Sequence, residues 1–387
     1  MEPSTASTAA DIRHELDPER QRLAQQYAGI RRRLFFMEMG ATVALVALFL
    51  AAGWSGRLRQ WAEAASDNPW IVVALYGVAL GAGYTIISLP LDFYVSYVLP
   101  HRFGLSTQTL SGWVMDSIKS TALAAVLALA GLEMLYWLLR TFPEWWWLLM
   151  AGMMWLFAVV MAQLAPVLLM PLFYKFRPLD DPELEQRLTR LAEQAGTRVR
   201  GVYIMDLSSR TTAANAMLTG LGRTRRIILG DTLLRGYTHD EIETVLAHEL
   251  AHHVHNDMPK SLVIEAVLFG LGMWVASMLL TWGVSAFGFR GIADVAALPI
   301  FAFAMFVFGL IAMPGANFLS RQMERAADLY ALRTTGKSQA FRSVMMKLAG
   351  QNLSEANPPA WVRFLFYSHP PISERIQVAE AFARRQD

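Results

Sequence analysis

Apolar residues in this chain gather into six long runs, near residues 34–54, 70–98, 119–140, 145–173, 260–285 and 293–318. The hydrocarbon core of a bilayer is about 30 Å thick, and a helix crosses it in about 20 residues, so each run predicts a membrane span. Trp145, Trp146 and Trp147 open the fourth run, as an interfacial aromatic belt does. Gly77 and Gly81 in the second run, and Gly270 and Gly272 in the fifth, are small enough for close helix approach, although glycine is common in membrane helices anyway. The polar segment 174–259 interrupts the series. Within it, Leu184, Leu188 and Leu191 fall on one helical face. Residues 199–205 and 226–229 read as short strands, and the turn-rich residues 215–222 between them read as a hairpin or edge loop. Thr238 then opens a helix, with Glu241 completing a capping box. Past residue 320 the chain is polar and helical, broken at Pro358-Pro359 and Pro370-Pro371.

Composition agrees with a membrane protein: 54% of residues are hydrophobic and 17% charged, against about 25% charged in soluble domains. The net charge of +2 gives no bias toward nucleic acid. Cysteine is absent, so disulfides and thiolate ligands are excluded and any metal must be held by His, Asp or Glu. The first apolar run follows more than thirty mostly polar residues with no small-residue cleavage site, so no secretory signal peptide is expected. Basic residues sort by loop. Arg31, Arg32, Arg33, Arg102, Lys119, Lys175, Arg177, Lys260, Arg321 and Arg325 lie on one side of the spans, against Arg57, Arg59, Arg140 and Arg290 on the other. By the positive-inside rule both termini and segment 174–259 face the cytoplasm. Glu38, Asp92, Glu133 and Glu265 fall in or near apolar runs, where a water-filled interior would accommodate them; solvation at the interface serves equally for Asp92 and Glu133.

The chemistry-bearing motif is 248-HELAH-252, inside an otherwise apolar helical stretch. Residues four apart lie one turn above each other, so His248 and His252 can reach one zinc ion, with Glu249 beside them to activate a water. Four of the eight histidines fall between 248 and 255. His255 lies a further turn along, and His253 points elsewhere. A catalytic zinc site takes three protein ligands and leaves one position open. Glu324, in 320-SRQMERAADLYA-331, would complete a two-His, one-Glu set, with Asp328 one turn on to fix a ligand imidazole. On pattern alone, Glu324 and Asp328 read equally as an exposed charged face with Arg321 and Arg325. The expected fold class is mainly α: a polytopic membrane helix bundle of about six spans, with an HExxH metallopeptidase domain containing a small β-sheet. Its parts are a basic cytoplasmic arm (1–33), four spans (34–173), a cytoplasmic domain with the metal helix (174–259), two spans (260–320) and a C-terminal part with the third ligand (321–387).

These residues resemble the integral-membrane CAAX prenyl protease family, type I, a group of gluzincin metalloendopeptidases. The resemblance covers roughly residues 70–380. It rests on HELAH, on S-R-x-x-E-x-x-A-D after the last span, on S-H-P-P-x-x-x-R-I near the end, on 215-NAMLTGLGRTRRIILGDTLL-234 and on 102-RFGLSTQTLSGWVMDSIKS-120. It implies one zinc ion per chain, Glu324 as third ligand and Asp328 behind it. It further implies that the segment from Asn215 and Ala216 is an edge strand that pairs with substrate. His369 would stabilise the oxyanion, with Arg375 close by. Eukaryotic members have seven spans around a large chamber; six are counted here, the first being the one missing, and the compact, Arg-rich chain points to a bacterial member. The implied activity is hydrolysis of peptide bonds, either of prenylated tails or of membrane proteins in quality control. The partners are then a peptide or protein substrate, lipidated in the first case, and the bilayer, with no nucleic acid. The rival class is a zinc-regulated transporter or channel. No internal repeat supports it, and it has no need of a glutamate after the first metal histidine.

Overall fold

A computed structural model of the protein describes residues 16–220 and 224–386. Of the arm expected over 1–33, residues 1–15 lie outside the described residues. The remainder is not a separate element: α1 (Pro18–Ala51) runs unbroken from the basic stretch into the first apolar run. Asp17 caps it by accepting from the Glu19 and Arg20 amides, and Pro18 pre-sets the first helical φ. The boundary at residue 34 therefore marks a change of composition within one helix. A helix of 12 residues, α2 (Trp54–Ala65), comes next; at about 18 Å it is too short to cross a bilayer. Three long helices follow, α3 (Pro69–Arg102), α4 (Leu110–Thr141) and α5 (Trp146–Phe173), each covering an expected span.

The polar segment then folds as β1 (Phe176–Pro178), α6 (Pro182–Gln194), β2 (Val202–Met205), β3 (Ala216–Thr219), β4 (Arg226–Gly230), α7 (Asp231–Gly236) and α8 (His239–Val254). Two more long helices, α9 (Asp257–Phe287) and α10 (Leu298–Thr335), return through the apolar layer. The chain closes with α11 (Ser338–Gln351), α12 (Ala360–Phe366) and α13 (Ile372–Ala383), the last two starting just after Pro359 and Pro371. Among the described residues six helices are long and apolar enough to cross a membrane. Of the four glycines expected to allow close approach, two do so. A Cβ on Gly77 would lie 2.3 Å from Leu132 Cδ2 and one on Gly272 3.0 Å from Phe308, whereas Gly81 and Gly270 have nothing within 4 Å.

The four strands form one sheet in the order β1-β2-β4-β3. β1 and β2 are antiparallel, β2 and β4 parallel, and β3 runs antiparallel to β4 with Ala216 opposite Leu229 and Thr219 opposite Arg226. β3 thus leaves one edge without a strand partner among the described residues. Within the segment 215–222, Ala216–Thr219 is an edge strand rather than a loop, and residues 221–223 lie outside the described residues. One core unites this sheet with helices from both sides of the last two spans. Leu184 and Leu188 of α6, Ile204, Ile227 and Leu229 of the sheet, and Leu246 and Leu250 of α8 pack with Leu332, Phe341 and Ile376.

At the opposite end, α2 is stitched to the loop between α9 and α10. The Ser55 hydroxyl donates to the Ala296 carbonyl at 2.5 Å and lies 2.7 Å from the Tyr76 hydroxyl. Arg59 pairs with buried Asp294, and Arg290 pairs with Glu63 at 2.6 Å. These groups flank a polar cavity of about 520 Å³. α2 thus covers the bundle end as a cap that does not span.

α10 positions the site. Its 38 residues extend about 57 Å, nearly twice the hydrocarbon thickness, so a helix that spans the bilayer also carries Glu324 and Asp328 well beyond it.

Candidate metal centre and active site

α8 begins at the capping box expected from sequence. The Thr238 side chain accepts from the Glu241 amide, and the Glu241 carboxylate accepts from the Thr238 amide at 2.7 Å. The helix buries Ile242, Leu246, Ala247, Leu250 and Ala251 in the core, and this orients its histidine face toward α10. The His248 and His252 rings meet edge to face with centroids 5.1 Å apart.

Glu324 of α10 lies opposite. His248 Nε2 is 3.1 Å from Glu324 Oε2, and His252 Nε2 is 3.6 Å from Glu324 Oε1. One ligand atom from each of the three residues falls within 4.8 Å of the others. Ligands about 2.0–2.2 Å from a tetrahedral zinc ion stand about 3.3–3.6 Å apart, so the spacing suits such an ion. His369 comes from the turn before α13, with Nδ1 2.8 Å from Glu324 Oε2. Despite these neighbours, Glu324 Oε2 is buried and makes no hydrogen bond among the described residues. A buried carboxylate oxygen facing imidazole nitrogens without a bond is what a cation seat requires.

The backs of both imidazoles are held. His248 Nδ1 lies 2.9 Å from Asp328 Oδ1, and His252 Nδ1 lies 2.9 Å from Asp257 Oδ2. Protons placed there leave each Nε2 lone pair facing Glu324. Arg375 does not stand free beside the cluster: its Nε and Nη2 donate to Asp328 at 2.8 and 2.5 Å, behind His248. Burial works to strip the proton from His248, but Asp328 and Glu324 outweigh it and hold the imidazole up to about 9. The surroundings therefore favour positive charge at this point. Burial pushes the Glu249 carboxyl above its ordinary value, against the pull of His248 and His252. A carboxyl so balanced is suited to take up and return a proton.

The charged stripe of α10 is turned inward. Glu324 is 6% exposed and Asp328 2%. Arg321, also buried, donates to the carbonyls of Arg363 (3.1 Å) and Tyr367, and so ties down the chain that leads to His369. His255 stays apart, its ring against Tyr330. Asn215 sits just before β3, its carbonyl accepting from the Gly230 amide at 2.8 Å, and Ala216 starts the strand that packs beside α8. Glu133 and Glu265 are half-buried in α4 and α9, and Glu38 and Asp92 are exposed on α1 and α3. Asp257 was not evident from the sequence. Its only signal there is a carboxylate five positions after His252, following an Asn able to turn the chain.

Comparison with known proteins extends these observations. The family model described as Peptidase family M48 matches residues 178–383. The one described as CAAX prenyl protease N-terminal, five membrane helices, matches residues 3–175. The chain is 30% identical over 377 residues to the uncharacterized metalloprotease YhfN of Bacillus subtilis, covering 96% of this chain and 88% of that one. It is 31% identical to CAAX prenyl protease 1 of Saccharomyces cerevisiae, over 78% of this chain and 70% of the relative. The crystal structure of S. mikatae Ste24p superposes with a TM-score of 0.85 at 24% identity, covering 95% of this chain and 90% of that one.

Proposed function

Because the chain belongs to peptidase family M48, as a multi-pass membrane metalloendopeptidase, we propose that His248, His252 and Glu324 hold one zinc ion and that the enzyme cleaves extended protein segments at the membrane surface, with no lipid required on them. The observation that carries this reading is the convergence of three ligand atoms within 4.8 Å around a buried carboxylate oxygen that lacks a hydrogen bond. When bound, zinc supplies Lewis acidity, which polarises a scissile carbonyl and makes a water a better nucleophile.

The chain's own groups do the rest. Glu249 takes the proton from the attacking water and returns it to the leaving amine. His369, more than half exposed beside Glu324, donates toward the oxygen that gains negative charge. Asp328 and Arg375 hold His248 in one orientation. The free edge of β3, from Asn215 and Ala216 onward, offers its backbone to a substrate strand. Recognition by main-chain pairing is indifferent to a lipid several residues away, and this favours a general membrane endopeptidase. One core draws on Leu16 at the start of the described chain and on residues 179–379. It supports one catalytic body threaded by two membrane helices.

The test uses the purified full chain with paired reporter peptides, one farnesylated and one not. Both are expected to be cut, cleavage to stop with a zinc chelator, and zinc alone to restore it. Cleavage confined to the farnesylated peptide would refute the substrate reading, and chelator-resistant cleavage would refute the metal reading. The basic loops beside the site support a cytoplasmic location for this face under the positive-inside rule. A topology reporter fused after residue 387 is accordingly expected to report a cytoplasmic location; an external signal would reverse the orientation.

A further inference from the structure

The two ligand imidazoles are braced in parallel ways, and one brace belongs to a membrane helix. Asn256 adopts the left-handed conformation (φ 54, ψ 42) between α8 and α9, which Asn tolerates better than most residues. This single residue ends the metal helix and turns the chain, so the first residue of α9 faces back on the last turn of α8. That residue, Asp257, is 5% exposed. Its Oδ2 accepts from His252 Nδ1 at 2.9 Å, and its Oδ1 accepts from Lys260 Nζ at 3.1 Å, one turn along α9. On the other imidazole, Asp328 stands 2.9 Å from His248 Nδ1 and is gripped by Arg375.

We infer that Asp257 is a positioning residue for His252, so that the first turn of a membrane-spanning helix sets how tightly the metal centre holds its ion. This rests on the zinc site proposed above. The carboxylate fixes the proton on Nδ1 and the ring plane, which leaves Nε2 directed at the space shared with Glu324. Asp257 is the first residue of α9, and the dipole of a helix N-terminus favours an acidic side chain at that place. The two braces differ in how they depend on their cations. The Arg375 side chain is 11% exposed and bidentate, whereas that of Lys260 is 55% exposed with a single contact. An exposed ammonium contributes little to its partner, so the His252 brace relies on Asp257 and the helix terminus rather than on Lys260.

The test measures zinc affinity by competition with a chromogenic chelator on the full-length protein. Wild type, Asp257→Asn, Asp257→Glu and Lys260→Met are compared, with thermal unfolding of each in metal-free and zinc-loaded form. Asp257→Asn keeps the shape but can present its amide N–H to Nδ1 and disfavour the required tautomer. It is expected to weaken zinc binding about 10- to 100-fold. The metal-free protein should unfold at an unchanged temperature, and the loaded protein should lose part of its zinc-dependent stabilisation. Asp257→Glu should recover part of the affinity, and Lys260→Met should stay near wild type. Wild-type affinity in Asp257→Asn overturns the inference while leaving the zinc site intact, as does equal destabilisation of the metal-free and loaded forms. A wild-type chain that takes up no zinc overturns both.

Discussion

Glu249→Gln is expected to lower peptide cleavage by about 10²- to 10⁴-fold, the usual worth of a positioned acid–base group, while zinc content stays at one per chain. The amide has nearly the shape of the carboxylate, so the packing of α8 is undisturbed, and Glu249 is not among the three converging ligand residues. What is lost is the ability to take up and return a proton beside His248 and His252, where burial already raises the carboxyl. Reporter cleavage and metal analysis on the same preparation separate these effects. Undiminished cleavage would remove Glu249 from the chemistry, and lost zinc would make it a ligand.

The largest effect on stability is expected from Arg375→Met. Asp328 is 2% exposed, and its guanidinium partner supplies two of its contacts. Removing one member of a buried pair leaves an uncompensated charge and costs about 3–5 kcal/mol. The double variant Arg375→Met with Asp328→Asn should recover much of that loss, because no buried charge is then left alone. Denaturation of the purified protein in detergent reads both. If the single and double variants were equally unstable, Arg375 would act through packing, for instance against Phe341, which its guanidinium overlies, and not through Asp328.

The parts of this molecule that show in its sequence are those that depend on local spacing. Apolar runs gave the spans because bilayer thickness fixes their length. Thr238 and Glu241 marked the start of α8 because a capping box is contained in four residues. HELAH was legible because a helix turns once between its histidines. Features that depend on distant partners were not. Nothing near residue 34 announces that the basic arm and the first span share one helix. β1 is three residues long and exists through its pairing with β2. The stripe Arg321, Glu324, Arg325, Asp328 looks like a solvated face until α12 and α13 fold over it, and Arg321 becomes a donor to the Arg363 and Tyr367 carbonyls. Asp257 reads as an ordinary helix-start acid because its partner is reached only through the left-handed turn at Asn256. The family resemblance supplied His369 and Arg375, which spacing alone would have left as turn and surface residues. The fold adds that Arg375 donates to Asp328, behind His248.

The Glu249→Gln protein, inactive and still loaded, is also the form in which to look for the ion itself. Diffraction data collected on either side of the zinc absorption edge should give one anomalous peak within about 2.0–2.2 Å of His248 Nε2, His252 Nε2 and a Glu324 carboxylate oxygen. A peak elsewhere, or none in protein that carries stoichiometric zinc, would contradict the assignment of these three residues.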